Sequence, residues 1–354
     1  MTEITSGERR YFAAANSGNG FCSYYKYIFD SSKLDSLIIV KGGSGTGKSC
    51  FIKKLGSEGE RRGGRAEYFY CSSDPTSLDG LILETGDGRR IAAVDGTAPH
   101  VRDTELPGCC DIIHDTGKYW DSTILSDKRE EIKSLIHKRK SKFTDIYDHL
   151  SAALSCERIA DRIVEKNTDF PKLEAAINRL FKKIDLRHGD GRIEYRLTDS
   201  IGMRGRVRFD TFTESADKVY RVTGNGWKAF FDTFVKMAKM RGANMFISPY
   251  YLDTDKVSGV FLPTESVAFV REDSDIGDKE YGVINTARFS YVYDKADRKE
   301  IKRVMRSAKS ALTEAESAFG EVRRIHFILE DIYSDTMNFE LKDAEEKALI
   351  ASIL

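Results

Sequence analysis

Gly42-x-x-x-x-Gly47-Lys48-Ser49 is the stretch of this chain whose residue types and spacing most directly specify a chemistry. Glycines in such a pattern let successive backbone N–H groups turn into one concavity, and a helix starting at the lysine adds the positive end of its dipole. The spacing predicts that Gly42, Gly43, Ser44, Gly45, Thr46, Gly47 and Lys48 wrap the phosphates of a nucleoside triphosphate, with Ser49 and Cys50 opening the helix behind them. Lys48 would neutralise the β- and γ-phosphates and the Ser49 hydroxyl would ligate Mg²⁺. The competing reading, a glycine-rich turn without a ligand, leaves the complete pattern unexplained.

Further candidates follow downstream. Asp95 ends the apolar run Ile91–Val94, as the second acidic motif of phosphate-loop proteins (Walker B) does, and would hold the Mg²⁺ water shell. In the loop Asp95-Gly-Thr-Ala-Pro-His100-Val-Arg102, His100 is placed to orient water or an acceptor and Arg102 to contact the γ-phosphate, against the plainer reading of two solvated side chains. Asp79 joins them as a candidate carboxylate, whereas Asp74 before Pro75 reads as a helix N-cap. Cys109-Cys110 with His114 offers too few ligands for a tetrahedral metal site and reads as buried thiols. The basic run His137-Lys-Arg-Lys140 with Lys142 reads as a solvated helix face.

These residues need elements to hold them. Leu37–Val40 is a continuous apolar run, suited to a strand buried on both faces, and Phe51, Ile52 and Leu55 follow the loop at helical spacing. Upstream, Tyr11–Ala15 reads as a strand, Asn16–Gly20 as a turn, and Phe21, Tyr24, Tyr25 and Ile28 as a helix face. Ala66–Cys71 reads as a strand, and Leu81–Leu83 and Ile91–Val94 as a hairpin around Gly86-Asp-Gly88. Residues 96–115 read as loop. From Lys128 to about Ile184 the pattern is helical, with Ile132, Leu135, Ile136, Phe143, Ile146, Leu150, Ala153 and Leu154 on one stripe.

The second half repeats this plan. Glu131-Ile-Lys133 recurs as Glu300-Ile-Lys302, and the same offset of 169 carries Phe143 to Leu312, Leu150 to Phe319, Ala153 to Val322, Ile159 to Ile328, Ile163 to Ile332 and Phe170 to Phe339. Upstream, Asp79–Leu83 falls on Ser258–Leu262 and Ile39–Gly42 on Arg221–Gly224. The expected organisation is α/β: two tandem P-loop NTPase-like three-layer α/β units, each with an α-helical appendage. The first is 1–190, with its core at about 10–125 and helices at about 127–186; the second is 191–354, with its core at about 192–295 and helices at about 297–354. The second copy of the loop, Thr223-Gly-Asn-Gly-Trp-Lys-Ala229, keeps a lysine, Lys228, but matches Ser49 with Ala229 and Asp95 with Val270. It predicts a structural partner with no second metal site, so one nucleotide per chain. Lys228 reaching across to the first unit's γ-phosphate is the alternative.

Composition sets the outer bounds. The 56 basic and 56 acidic residues cancel over 354 positions, so no global field favours nucleic acid or an anionic membrane. Six cysteines without a C-x-x-C pair, and no apolar segment at the N-terminus, predict a reduced cytoplasmic setting. No apolar run reaches the ~18 residues of a spanning helix.

With Phe12 to Asn16, Gly20-Phe21, KGGSGTGKS, CSSDPTSLDG and VDGTAPH, the whole chain, less securely in its second half, resembles a family of uncharacterised bacterial P-loop ATPases built from two tandem P-loop units. The resemblance implies ATP and Mg²⁺ as cofactors. The second unit of that family often keeps its own P-loop, and this sequence departs from it there. Because Gly96, not glutamate, follows Asp95, three activities are open: slow or partner-regulated ATP hydrolysis, phosphoryl transfer to a small acceptor, or a non-catalytic, nucleotide-gated interaction with a protein partner.

Overall fold

The computed structural model describes residues 8–271, 273–274 and 280–354. Residues 1–7, the start of the N-terminal stretch read as lacking an apolar segment, lie outside them. Six strands of the first half form one mixed sheet: β1 (Arg9–Phe12), β2 (Ser36–Lys41), β3 (Arg65–Tyr70), β4 (Leu78–Glu84), β5 (Arg90–Asp95) and β6 (Asp111–Asp115). Their spatial order is β1-β3-β4-β5-β2-β6, and only β4 runs against its neighbours. The second half builds a sheet from β7 (Ile193–Tyr195), β8 (Lys218–Thr223), β9 (Met245–Pro249), β10 (Val257–Leu262), β11 (Val267–Arg271) and β12 (Glu280–Asn285). Its order, β7-β9-β10-β11-β8-β12, is the first order again, with the same single reversed strand.

Local reasons for these elements are plain in places. Leu37, Ile38, Ile39 and Val40 are fully buried in β2, a central strand. Other segments differ from expectation. The stretch 96–115 is not all loop, because Asp111–Asp115 pairs with β2 as the edge strand β6. Residues 11–23 break into β1 and a small hairpin, Ala14–Ser17 with Gly20–Ser23, leaving only Tyr25–Ile28 helical. Asp74 caps a turn, its carboxylate accepting from Thr76 N and Oγ1, with no helix behind Pro75.

Helices α1 (Lys48–Arg61), α2 (Arg129–Lys166), α3 (Phe170–Lys183), α4 (Trp227–Met240), α5 (Lys295–Ser334) and α6 (Phe339–Ile353) complete the frame. The two longest, α2 and α5, pack antiparallel. Ile132 meets Leu329 and Ile332 at one end, Leu150 and Leu154 cluster with Ala315 and Phe319 in the middle, and Ala160 lies with Ile301 and Met305 at the other. Ile328 and Phe339, expected in the core, are 45% and 42% exposed, although Phe170 and Phe339 do begin equivalent helices.

The last helix of each half belongs to the other half's sheet. Ile350 and Ile353 of α6 pack with Ile38, Val40, Phe51 and Leu55, while Leu173, Ile177 and Phe181 of α3 pack with Tyr220, Val222, Phe230 and Phe234. Backbone bonds pin both exchanges: Asn338 N donates to Tyr119 O at 2.8 Å, and Asp169 N donates to Phe289 O at 2.7 Å. The opposite faces of the sheets share one apolar layer, with Leu37, Ile39 and Val94 in the same cluster as Val219, Ala268 and Val270. Instead of two separate three-layer units, each sheet thus has long helices on one face and, on the other, an apolar layer common to both halves, which also takes in the short helices Tyr25–Ile28 and Thr211–Ser215.

Candidate functional site

Three glycines of the stretch 42–49 hold positive φ, namely Gly42 at 146°, Gly45 at 70° and Gly47 at 78°, so the backbone curls as side-chain-bearing residues rarely do. Thr46 donates its hydroxyl to Gly43 O at 2.9 Å, and Thr116 donates to Lys41 O at 2.8 Å while standing 2.9 Å from the Thr46 hydroxyl. Thr116 fixes where the loop leaves the sheet. The second half repeats that tie: Thr286 donates to Thr223 O at 2.7 Å and accepts from Gly226 N at 3.1 Å.

Lys48 Nζ turns back onto the loop, donating to Gly42 O at 3.1 Å and Gly43 O at 2.6 Å, with Asp95 Oδ2 3.6 Å away. Asp95 stands opposite Val40 on the neighbouring parallel strand, and its other oxygen accepts from Thr97 N and Oγ1 at 2.9 and 2.6 Å. Ser49 Oγ accepts from Leu78 N at 2.8 Å, which joins the first turn of α1 to β4. Next to Leu78, Asp79 is buried and its Oδ2 lies 3.3 Å from His100 Nε2. His100 stacks on Tyr25 with ring centroids 4.6 Å apart, and its Nδ1 is buried without a protein partner.

Electrostatics tie these groups together. Burial lowers the His100 pKa, but the hydrogen bond and charge of Asp79 outweigh it and leave the pKa raised, with Asp95 adding to the rise and Lys48 opposing it. Burial, then the Asp79 charge, pushes the Tyr25 hydroxyl and the Cys71 thiol well above their ordinary ranges, so both stay protonated around Asp79. The sequence places Tyr25 only on a helix face and Cys71 only at a strand end, neither as a site residue. Lys48, Asp95, Asp79 and His100 are brought to one place. Arg102 is not: its guanidinium donates to Ser31 Oγ at 3.1 Å and lies 3.8 Å from Glu105. Cys50 is exposed on α1, Cys110 is buried and Cys109 exposed. Among the described residues, no three His, Cys, Asp or Glu side chains are grouped to hold a metal by themselves.

Register corrects the comparison between halves. Asp95 opposite Val40 corresponds to Arg271 opposite Val222, not to Val270. α1 and α4 are both 14 residues long with glycine N-caps, and their buried faces superimpose as Phe51 on Phe230, Ile52 on Phe231 and Leu55 on Phe234. That registry sets Trp227 in the place of Lys48 and Lys228 in the place of Ser49. Lys228 Nζ is held by Asp161 at 2.7 Å and Glu157 at 3.0 Å, in a cavity of about 80 Å³ that Met305 also lines. The first loop meets α5 at Glu330, whose carbonyl oxygen would lie 2.5 Å from a Cβ on Gly45. From Met305 to Glu330 the helix rises about 37 Å, so Lys228 cannot reach a phosphate at the first loop.

No family model, no curated protein and no solved structure matches the chain. No helix among the described residues is long and apolar enough to cross a membrane.

Proposed function

We propose that this chain is a Mg²⁺-dependent P-loop NTPase of the tandem kind it resembles, binding one ATP at residues 42–49 and hydrolysing it slowly or under the control of a partner. The convergence of Lys48, Asp95, Asp79 and His100 beside a loop with three left-handed glycines is the observation that supports this reading. The donor set fits a metal nucleotide. Lys48 bonds only to loop carbonyls and faces Asp95, so it is available to exchange those bonds for phosphate oxygens. Ser49 and Asp95 would hold Mg²⁺, which when bound would draw charge from the phosphate oxygens; such ions take few protein ligands beside phosphate.

His100 is the residue to position water, since Asp79 fixes the imidazole through Nε2 and leaves Nδ1 without a protein partner. A glutamate cannot take that role at residue 96. A Cβ on Gly96 would meet Ile39 Cγ2 at 2.5 Å. The same pair favours a second reading, removal of a proton from an acceptor hydroxyl in phosphoryl transfer. Release of ADP from ATP or GTP, measured alone and with a panel of hydroxylated metabolites, decides. Turnover without acceptor supports hydrolysis, strictly acceptor-dependent turnover supports transfer, and nucleotide-dependent partner binding without ADP overturns both.

A further inference from the structure

α6 carries two charged residues into the interior. Lys342 is 1% exposed and Glu346 fully buried; Lys342 Nζ donates to Glu346 Oε2 at 2.8 Å, and Glu346 Oε1 lies 3.1 Å from His114 Nε2. His114 sits on β6 opposite Val40, packed against Phe51 with ring centroids 4.7 Å apart. Lys342 also reaches the loop. Its Cε and Nζ would both lie 2.9 Å from a Cβ on Gly47, the left-handed residue just before Lys48.

The other half supplies the control. The helices α3 and α6 start at Phe170 and Phe339, so Lys342 corresponds to Leu173 and Glu346 to Ile177; strand register sets His114 against Ile284. All three counterparts are apolar and pack in or against one hydrophobic cluster. The same fold therefore closes this junction with hydrocarbon where the loop is shortened, and with a buried ionic network where the loop is complete. A buried ion pair is often no more stabilising than hydrocarbon of the same shape. Stability alone does not account for the difference.

We propose that Lys342, oriented by Glu346 and His114, is a positioning residue that braces the Gly47 turn from outside, so that the second half completes the first half's loop. The bracing concerns the loop itself; its effect on ATP rests on the nucleotide reading above. By this view the second half earns its place at the first site through α6, not through Lys228.

The test copies the other half's packing: the triple variant Lys342→Leu/Glu346→Ile/His114→Ile, with Lys342→Met and Lys342→Arg as single changes. Three quantities are read on the full chain, namely melting temperature, hydrogen exchange of residues 42–50 without nucleotide, and affinity for a fluorescent Mg·ATP analogue. Expected for the triple variant and Lys342→Met are a melting temperature unchanged or raised in the triple, loop exchange faster by about tenfold, and affinity weaker by about tenfold, each one decade in an equilibrium. Lys342→Arg should restore loop protection. Wild-type exchange and affinity in both the triple variant and Lys342→Met would overturn the proposal. If the triple variant fails to fold, the contrast between Lys342→Met and Lys342→Arg decides by itself, equal loop protection in the two refuting it. A wild type that binds no nucleotide defeats the nucleotide reading, while the exchange measurement still judges the brace.

Discussion

Asp95 and Arg271 occupy the same strand-end place in the two sheets, opposite Val40 and Val222, with opposite charge. In the first half the carboxylate at that place faces Lys48; in the second, an arginine stands there and the carboxylates come from α2, where Glu157 and Asp161 hold Lys228. On the nucleotide reading proposed above, the second copy sets anions of its own chain where the first would take an anionic ligand. Calorimetric titration with Mg·ATP should therefore give one nucleotide per chain, and a value of two would refute the single-site reading.

Replacing Lys48 by alanine should weaken triphosphate binding by about 1.5 to 3 kcal/mol, the range of a hydrogen bond to a charged group. That is roughly one to two decades in affinity in a fluorescence titration. Asp95→Asn should leave the fold intact while lowering turnover and its dependence on Mg²⁺, measured by ADP release against metal concentration.

Lys228→Met has a different signature. It leaves Glu157 and Asp161 facing each other without their cation, and breaking a buried pair costs about 3 to 5 kcal/mol. Denaturant unfolding should register that loss, while nucleotide affinity, measured under native conditions, stays at the wild-type level. A normal fold with collapsed turnover would be the opposite result.

The Asp79–His100 pair predicts a pH dependence. Its histidine pKa is raised in the folded chain, against the opposing effect of burial, so its stabilising contribution is complete below about pH 6.5 and fades as pH rises through the folded value. Asp79→Asn should therefore lose most stability relative to wild type near pH 6 and progressively less above it. Imidazole NMR titration checks the premise, since a wild-type His100 titrating below 6.5 contradicts it.

A chain ending at residue 335 should lose the first sheet's core rather than the second's. It removes Ile350 and Ile353 from Ile38, Val40 and Phe51, and each buried isoleucine contributes about 1.5 to 3 kcal/mol. Hydrogen exchange should rise in β2, β4 and β5 before it rises in β8 to β11.

What the sequence made legible follows from what it encodes locally. Leu37–Val40 and the loop after it could be read because a strand buried on both faces and a glycine pattern each leave a contiguous signature. β6 left none: it is a short edge strand, Ile112 and Ile113 are partly solvent-facing, and aspartates bracket them. The helical pattern at the end of each half does not say which sheet receives α3 or α6, and the buried face of α6, with Lys342 and Glu346 on it, carries no continuous apolar stripe, so the exchange was invisible. Asp95 was matched one residue short because gapped alignment of short strands floats, whereas hydrogen-bond register does not. His114, Lys342 and Glu346 are scattered along the chain and look like surface residues. Comparing them with Leu173, Ile177 and Ile284 under the repeat offset is the signal that finds two of the three.

The exchange of final helices also fixes when this protein can fold. A nascent chain that has delivered its first 190 residues has made every strand of the first sheet, yet Ile38 and Val40 wait for the helix Phe339–Ile353, and α3 waits for a sheet not yet translated. Contacts of such sequence separation are slow to form and leave apolar surface uncovered meanwhile. The first sheet should therefore keep part of its apolar face uncovered until the second half has been translated.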